Sequence, residues 1–546
     1  MTSVLPTAVP GDTVPAEQRP SRVRAWTEAV LSRPVRIFTV SFVLVFLNMA
    51  AWSLASPLFA SPDEPAHVVR AVAVDHGQLI GTPVGGPSSS VTSVTVPASI
   101  ADSEQYPDCF AFKISVPASC AQPLTTSTRS VEAKTSAGRY PPLYYAIVGI
   151  PSLVSDSTTG IYLMRLFSAA LAALFVALAF MSICVWSKRT FMLVGVLLAL
   201  TPMTLFLGGV VNPNGTEICA ALCMWTAGLV LVLERADDPP RGLVIVLTAS
   251  VVMLMLSRGI SPLWVALILV VLAILAGRRA LVQLLRSTSL RVSIAVMVLS
   301  AVIAVAWIVV AHANDLQSGE VTLPKGGAGH LLLDFWSLTG NWLQQMIGVF
   351  GWLDTPSPLL TYLTWYAVIG VVVFLALSSA RPRGNIALVV LVAMVVLVPI
   401  AISYHEAHRL DLFWQGRYIL PMATGIPIVA TALIDGAAVL DTIRSRLTVL
   451  ICVAIGAADF AAFYTAQRRY ATGLPGPANI LDGTWGPPLG NTVMTLWSLV
   501  ATVLLVCFVV STVHFMSQDD HPGGSSLGAV STGSVALRES EVSVTE

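Results

Sequence analysis

The chain has 546 residues, of which 55% are hydrophobic and only 11% are charged, and its mean hydropathy is +0.78. So apolar a composition excludes a soluble multidomain protein and indicates a polytopic membrane protein surrounded by lipid. The 30 basic and 30 acidic residues cancel, so no overall basic excess points to nucleic acid as a partner.

Residues 1–34 precede the first long apolar segment, and their prolines at 6, 10, 15 and 20 disfavour a stable fold. Several arginines stand directly before that segment, and no cleavable signal peptide is evident. The positive-inside rule therefore predicts a cytoplasmic, disordered tail at 1–34. A second disordered cytoplasmic tail is predicted at 516–546, which is rich in Gly and Ser.

Between the tails, residues 35–515 form the predicted membrane domain. Apolar segments long enough to cross a bilayer predict an all-α, polytopic fold with about twelve transmembrane helices. They are 36–59, 160–186, 190–207, 215–233, 241–257, 261–277, 290–311, 360–380, 384–403, 416–436, 446–466 and 491–514. A thirteenth is added if 141–154 spans, but its short length and Pro151 favour an interfacial or re-entrant helix.

Basic residues distinguish the two sides of this domain. Clusters of arginine or lysine lie near 188–189, 235–241, 278–291, 381–383 and 444–446, so these connections are predicted to be cytoplasmic. The other connections are then external, and both termini lie inside. These external connections are 60–140, 208–214, 258–260, 312–359, 404–415 and 467–490, of which 60–140 and 312–359 are long loops. We expect a multi-pass protein of the plasma (inner) membrane.

The stretch Ser61–Arg70 opens the first external loop. Ser61, followed three residues later by Glu64, is typical of a capping box, so we predict a helix from Ser61 to about His76. Helical spacing places Asp63, His67 and Arg70 on one face of that helix.

Asp63 and Glu64 are adjacent carboxylates at the point where a membrane span meets water, which makes them candidate catalytic residues. The alternative is that they only complement the dipole of the predicted helix. Because the side chains of neighbouring helical residues diverge by about 100°, only one of the two can face a site well.

Arg417 stands at the entrance of an apolar segment. Its planar donor fork suits a phosphate group, although a snorkelling contact with lipid headgroups is the competing interpretation. Arg139 and Tyr140 precede a Pro-Pro pair on the same predicted side of the membrane. With His67 and Arg70, they complete the candidate substrate-binding set.

Cys109 and Cys120 share the first external loop, and a disulfide between them would suit an oxidising compartment. Two free thiols are the alternative.

No metal site is predicted. His405 and His408, with Glu406 and Asp411, lack a recognised zinc spacing, so a solvated loop is favoured there. No cofactor is certain, and a divalent metal is left open.

Four motifs occur in a characteristic order: Pro62–His67, Tyr140–Tyr145, Gly348–Asp354 and Gln415–Tyr418. Together they resemble a family of bacterial polytopic proteins classified as domain of unknown function 2142, over about residues 36–470. That family in turn looks like the class C (GT-C) glycosyltransferases, multi-span enzymes that take a sugar from a polyprenyl-phosphate donor and carry an acid in the first external loop. The resemblance implies a GT-C-like fold and Asp63, with Glu64 beside it, as the catalytic acid.

We therefore expect a glycosyltransferase that acts at the external face, using a polyprenyl-phosphate-linked sugar and an envelope glycan, lipid or protein as acceptor. A transporter or flippase for a lipid-linked glycan is a rival hypothesis, for which the intramembrane Arg165, Glu217 and Asp459 would also serve. A non-enzymatic scaffold of envelope synthesis is a third.

Overall fold

The computed structural model describes residues 22–86, 89–234, 238–313, 328–410, 413–435 and 438–519. Helices dominate these residues, as the predicted all-α class requires. The first ten are α1 (Arg22–Leu31), α2 (Pro34–Ala55), α3 (Glu64–Asp75), α4 (Ala98–Ala101), α5 (Leu143–Val148), α6 (Thr158–Trp186), α7 (Met192–Ala199), α8 (Pro202–Gly208), α9 (Pro213–Leu233) and α10 (Arg241–Met255). The others are α11 (Ser261–Leu284), α12 (Thr288–Val310), α13 (Ala328–Gly348), α14 (Leu359–Ser379), α15 (Pro382–Leu410), α16 (Leu420–Ala423), α17 (Gly425–Ile434), α18 (Ala438–Thr472) and α19 (Asn491–Asp519).

Nine of the described helices are long and apolar enough to cross a membrane: α2, α6, α9, α11, α12, α14, α15, α18 and α19. The other three predicted segments are helical but shorter or broken. Helix α10 has 15 residues, and the segments 190–207 and 416–436 each divide into short helices. The count of twelve crossings stays a prediction.

Proline explains why the segment 190–207 is broken. Pro202 cannot donate a backbone hydrogen bond, and the residue before a proline is driven out of the helical region. Thr201 is accordingly extended (φ −60°, ψ 158°), and its hydroxyl oxygen accepts a hydrogen bond from the backbone N–H of Thr204. Helix α7 ends there, and α8 begins with a new cap.

The stretch 141–154 contains α5 and a 3₁₀ helix at Ile150–Leu153. Six helical residues rise only about 9 Å, so α5 is too short to cross a bilayer.

The first external loop also contains a small sheet, which was not predicted. Strands β1 (Thr82–Pro83), β2 (Thr92–Pro97) and β3 (Ser130–Thr135) pair antiparallel in the order β1-β2-β3, with Val94 opposite Ala133. Val94 and Val96 are buried and Thr95 is exposed, the alternation expected of a half-buried strand. A second antiparallel pair joins β4 (Val349–Phe350) to β5 (Thr355–Pro356).

A disulfide joins Cys109 to Cys120 in the same loop, with the two Cα atoms 6.0 Å apart. Of the two alternatives open from the sequence, the structure contains the bridged one.

The predicted boundaries of the tails need correction. Residues 22–31, assigned to the disordered tail 1–34, form α1, because Thr27 and Val30 are buried where α1 packs against α2 and α19. Helix α19 continues to Asp519, past the predicted boundary at 515. The remaining parts of both predicted tails, 1–21 and 520–546, lie outside the described residues.

The connections predicted to be external meet at one end of the bundle. Asn212 Nδ2 donates to the Pro62 carbonyl oxygen (3.1 Å), and Trp352 Nε1 donates to the Phe59 carbonyl oxygen (3.1 Å). These contacts join three connections that are far apart in the sequence.

The connections predicted to be cytoplasmic meet at the other end. Arg444 forms an ion pair with Asp435 (2.9 Å), and Arg189 lies 3.8 Å from Glu234. The helices thus place the two sets of connections on opposite sides, and which end faces the cytoplasm stays a prediction.

Candidate active site

Helix α3 begins two residues later than the sequence predicts, because its N-cap residue is Asp63 and not Ser61. Asp63 is its N-cap residue, the backbone there is left-handed (φ 62°), and no side chain caps the helix. The Ser61 hydroxyl is buried without a hydrogen-bond partner among the described residues. The capping box fails because Arg165 binds the side chain that would complete it, so a tertiary ion pair replaces local capping.

Glu64, a predicted catalytic residue, lies in that buried ion pair instead. Arg165 Nε donates to Oε1 of Glu64 (2.7 Å), Arg165 Nη2 donates to Oε2 (2.6 Å), and both side chains are 0% exposed. The backbone N–H of Val211 also donates to Oε1 (3.1 Å). A carboxylate enclosed in this way cannot meet a substrate, so the structure assigns Glu64 to the scaffold.

The rest of the Arg165 guanidinium is satisfied by backbone. It donates to the carbonyl oxygens of Ser53, Ser56 and Pro57 at 2.7 to 3.0 Å. One arginine therefore joins the end of α2 to the start of α3.

Asp63 points the other way, and its side chain is 44% exposed. One of its oxygens accepts a hydrogen bond from Nη2 of Arg417, which is itself 2% exposed. Burial raises the pKa of Asp63, but the charge and hydrogen bond of Arg417, together with the nearby His67 and Arg258, more than compensate and hold that pKa below its ordinary value of 3.8. Asp63 is thus an ionised carboxylate that an incoming hydroxyl group can reach.

Arg417 is engaged with the turn before α3. Besides its contact with Asp63, its Nη1 donates to the Pro62 carbonyl oxygen (3.3 Å). The predicted role of Arg417 in phosphate binding therefore competes with a role in positioning Asp63.

The ring of Tyr418 contacts two guanidinium groups. The Cζ atom of Arg417 is 5.3 Å from the ring centroid, and that of Arg258 is 4.6 Å from it. At these distances each cation is attracted to the aromatic ring. Tyr418 thus connects the Asp63–Arg417 pair to a second arginine.

Sequence reasoning missed Arg258 as a site residue. Its Nη1 donates to Oε2 of Glu217 (3.2 Å), while Ser261 Oγ donates to Oε1 (2.6 Å) and Asn214 Nδ2 donates to Oε2 (3.0 Å). A signal was present: an arginine in a connection predicted to be external runs against the positive-inside rule.

A cavity of about 270 Å³ lies beside these residues. Arg139 and Arg258 supply its cationic groups, and its remaining wall is largely aromatic or apolar. The aromatic lining residues are Tyr140, Trp307, Phe413, Trp414 and Tyr418.

Helix α12 carries Trp307 and Ile308 into the wall of this cavity. Other residues of α12 are turned outward, since Val305 is 55% and Val309 is 66% exposed. The cavity is therefore next to the apolar outer surface of the bundle, where lipid would lie.

Arg139 and Tyr140, both predicted site residues, line the cavity. Arg139 Nη1 donates to the His312 carbonyl oxygen (2.8 Å), and the carbonyl oxygen of Arg139 accepts from Trp307 Nε1 (3.0 Å). The Tyr140 ring centroid lies 5.9 Å from the Cζ atom of Arg258.

His67 and Arg70 have structural contacts instead. Nδ1 of His67 lies 2.8 Å from the Tyr145 hydroxyl, and burial lowers the pKa of His67 to about 3 despite the opposing charge of Asp63. Arg70 is fully buried and donates to three backbone carbonyl oxygens, those of Gln78, Leu79 and Tyr140. It ties α3 to the following loop, because its donors are directed at backbone and not at the cavity.

Of the three charged residues that would have served a transporter, two have ion-pair partners in the described residues. Arg165 and Glu217 sit in separate ion pairs at the site end of the bundle. The third, Asp459, lies on α18, where its Oδ1 is buried without a hydrogen-bond partner among the described residues.

No group of three or more His, Cys, Asp or Glu residues that could hold a metal ion occurs in the part of the chain that the structure describes. Glu406 contacts Arg409 (2.6 Å) and lies 3.9 Å from His405. Asp411 and the side chain of His408 lie outside the described residues.

Fold and site together define a polytopic helical membrane protein with a charged site at one end of its bundle. A family profile described as "Predicted membrane protein (DUF2142)" matches residues 46–426, and the chain belongs to this family.

Two similar solved structures are those of ArnT from Cupriavidus metallidurans. The form bound to undecaprenyl phosphate is 14% identical, with 89% of this chain and 77% of that chain covered and a TM-score of 0.40. The apo form is 14% identical, with coverages of 83% and 76% and a TM-score of 0.36. No curated protein matches the sequence.

Replacing Glu64 by Gln tests the scaffold assignment. Glu64→Gln is expected to lower the free energy of unfolding by about 3 to 5 kcal/mol, because Arg165 would be left buried without a counter-charge. Thermal unfolding of the detergent-purified protein measures the change. As a control, Glu406→Gln breaks a more exposed pair with Arg409 and should alter stability by at most about 1 kcal/mol. Equal losses in the two variants would contradict the assignment.

Asp75, at the end of α3, gives a pH-dependent prediction. Burial raises the pKa of its half-buried carboxyl to about 6, although His76 opposes this. Between 3.8 and 6 the folded state keeps a proton that the unfolded state releases, so stability falls as pH rises through that window.

Asp75→Asn removes the ionisable carboxyl group and therefore the loss of stability that its ionisation causes. Its melting temperature should exceed that of the wild type at about pH 7.5, and the difference should vanish towards about pH 4. Thermal unfolding at both pH values measures it. A difference that is the same at both would show that Asp75 does not titrate in this window.

Proposed function

We propose that this protein is a GT-C-like glycosyltransferase that moves a sugar from a polyprenyl-phosphate donor to a cell-envelope acceptor. The observation that carries the proposal is Asp63, a half-exposed carboxylate fixed by the buried Arg417 beside a cavity lined by two arginines. Glycosyl transfer to a hydroxyl group needs a base at the acceptor and cationic groups at the leaving phosphate. Both kinds of group occur together at this end of the bundle.

The donor phosphate is assigned to Arg258 and Arg139. Both line the cavity, and a planar guanidinium can offer two parallel donors to phosphate oxygens. Glu217 holds Arg258 in place, and its own carboxylate is shared with Ser261 and Asn214. The hydrogen-bonding demand of Glu217 is thus met by three donors, and Arg258 keeps capacity for a ligand.

The lipid part of the donor is assigned to the apolar side of the same cavity. Trp307 and Ile308 belong to both the cavity wall and α12, whose outer face is exposed and apolar. A polyprenyl chain can therefore remain in the lipid phase while its phosphate reaches the two arginines.

The reaction follows from this arrangement. The acceptor hydroxyl oxygen attacks the anomeric carbon, and the bond from that carbon to the phosphate oxygen breaks. The hydroxyl proton passes to Asp63, and the leaving phosphate keeps the electron pair beside Arg258 and Arg139. Attack opposite the leaving group inverts the configuration of the anomeric carbon, and the products are the glycosylated acceptor and the polyprenyl phosphate.

Arg417 acts as a positioning residue in this mechanism. It holds one oxygen of Asp63 and keeps the carboxylate ionised, while the side chain stays accessible. The phosphate role that the sequence suggested for Arg417 therefore passes to the arginines of the cavity.

The site end of the bundle is assigned to the outside of the plasma membrane, with both termini in the cytoplasm. The Cys109–Cys120 disulfide suits an oxidising exterior, and the arginine clusters at the opposite end follow the positive-inside rule. The acceptor is then an envelope glycan, lipid or protein.

Asp63→Asn tests the proposed base. An amide cannot accept the proton, so transfer should fall at least about 100-fold while folding is unchanged. The measurement is the release of sugar from a labelled polyprenyl-phospho-sugar in vesicles, with envelope extract as the acceptor source.

The matched control for this variant is Asp75→Asn, the same substitution at the far end of α3. It should retain the wild-type rate, because Asp75 lies outside the cavity lining. Full activity in Asp63→Asn would eliminate Asp63 as the base.

The pH profile of Arg417 variants separates positioning from phosphate binding. In the wild type the pKa of Asp63 is below 3.8, so this base should cause no loss of rate between about pH 8 and pH 5. In Arg417→Gln the effect of burial is no longer opposed by Arg417, so the pKa of Asp63 rises and the rate falls at higher pH than in the wild type.

Arg417→Lys keeps the positive charge beside Asp63. The pH at which its rate falls on the acidic side of the profile (the acidic limb) should therefore stay close to that of the wild type. If Arg417 instead binds the phosphate, both variants should raise the KM for the donor and leave the acidic limb where it is.

A further inference from the structure

The end of the bundle opposite the candidate site contains two neighbouring cavities that share one arginine. The first, here called the α11 cavity, is lined by Arg278, Arg279 and Arg383 and has a volume of about 630 Å³. The second, the α15 cavity, is lined by Arg189, Arg381 and Arg383 and has a volume of about 650 Å³. Both volumes lie in the range of ordinary ligand sites.

These cavities are on the far side of the membrane from Asp63. Helix α11 begins at Ser261, beside the site residue Arg258, and Gly277 lies sixteen residues further along it, a rise of about 24 Å. Arg383 is in the first turn of α15, which ends at Leu410 beside the candidate active site.

A backbone kink brings the two helices together at the shared arginine. Gly277 has a positive φ of 69° inside α11, and a Cβ atom added there would lie only 2.5 Å from Nη1 of Arg383. The absence of a side chain at Gly277 lets the guanidinium of Arg383 pack directly on the α11 backbone. Arg383 is thereby placed between the two cavities.

The charge of both cavities is positive. None of the described residues that line either cavity is acidic. One acidic residue, Glu234, lies 3.8 Å from Arg189 at the α15 cavity. Four of the five arginines, at 278, 279, 381 and 383, are exposed.

Apolar side chains complete both walls. Leu231 and Leu284 line the α11 cavity, and Leu275 and Leu433 line the α15 cavity. A ligand for such a surface has a negatively charged group and an attached hydrocarbon portion. The phosphodiester of an anionic phospholipid, with its acyl chains, has both.

We propose that the two cavities around Arg383 bind the phosphate groups of anionic phospholipids. The positive-inside rule alone would give every arginine at this end the same weak attraction to the membrane surface. The cavities distinguish between them, because Arg383 lines both, whereas Arg286, which is exposed at the same end, lines neither.

The test measures the thermal stability of the detergent-purified full chain during titration with phosphatidylglycerol, phosphatidylcholine or inorganic phosphate. Phosphatidylglycerol should raise the melting temperature saturably, and the other two should not. In Arg383→Gln the apparent affinity for phosphatidylglycerol should be about fivefold weaker, the change expected from one lost arginine contact.

Arg286→Gln is the matched control, since it removes the same charge from the same end and should titrate like the wild type. An equal loss of affinity in both variants would overturn the proposal in favour of general surface charge. An equal response to phosphatidylcholine would overturn it as well. A saturable shift with inorganic phosphate alone would replace the lipid by a free anion.

Discussion

The position of the candidate site depends on the buried ion pair between Arg165 and Glu64. A guanidinium inside the membrane domain is tolerated only when its donors are satisfied. Arg165 donates to the carbonyl oxygens of Ser53 and Ser56 at the end of α2 and to the carboxylate of Glu64 at the start of α3. The chain must therefore turn sharply between these helices. Asp63 occupies that turn at φ 62°, a backbone conformation that aspartate tolerates better than most residues.

This geometry gives two adjacent carboxylates different roles, one in stabilising the fold and one in the proposed reaction. Glu64 is fully enclosed by donors, while Asp63 meets one arginine and remains accessible. The same division applies to the arginines, because Arg417 is held by the turn before α3 whereas Arg258 reaches the cavity. Tyr418 keeps the two arginines near each other by contacting both, which offsets part of their mutual repulsion.

Hydropathy located the apolar segments, because the composition of a membrane span follows from the thickness of the bilayer. Because hydropathy averages over a whole segment, it could not show that the single residue Pro202 breaks one of these segments into α7 and α8. The start of α3 was predicted from a local capping pattern, and Arg165, about a hundred positions away, overrode it. Position in the sequence, side-chain chemistry and the family resemblance suggested Asp63, Arg139, Tyr140 and Arg417, which the structure gathers at one end of the bundle.

His67 and Arg70 show the limit of helical periodicity. They share a side of α3 as predicted, yet the short helix α5 and the loop after α3 supply Tyr145 and backbone carbonyl groups that engage both residues. Arg258 shows the converse, because its partner Glu217 belongs to another helix and no periodic pattern connects them. Contacts between residues on different helices cannot be predicted from sequence periodicity and become visible only in the folded structure.

The boundary between lipid and water gives the proposed reaction its direction. Asp63 lies in the turn that opens the long polar loop and is 44% exposed, whereas the cavity is bordered by α12, whose Val305 and Val309 are exposed on the apolar outer surface. An acceptor from water and a donor from lipid would therefore approach from different sides and meet near Tyr418. Such a separation lets each substrate remain in the phase that solvates it, so neither must be transferred far before reaction.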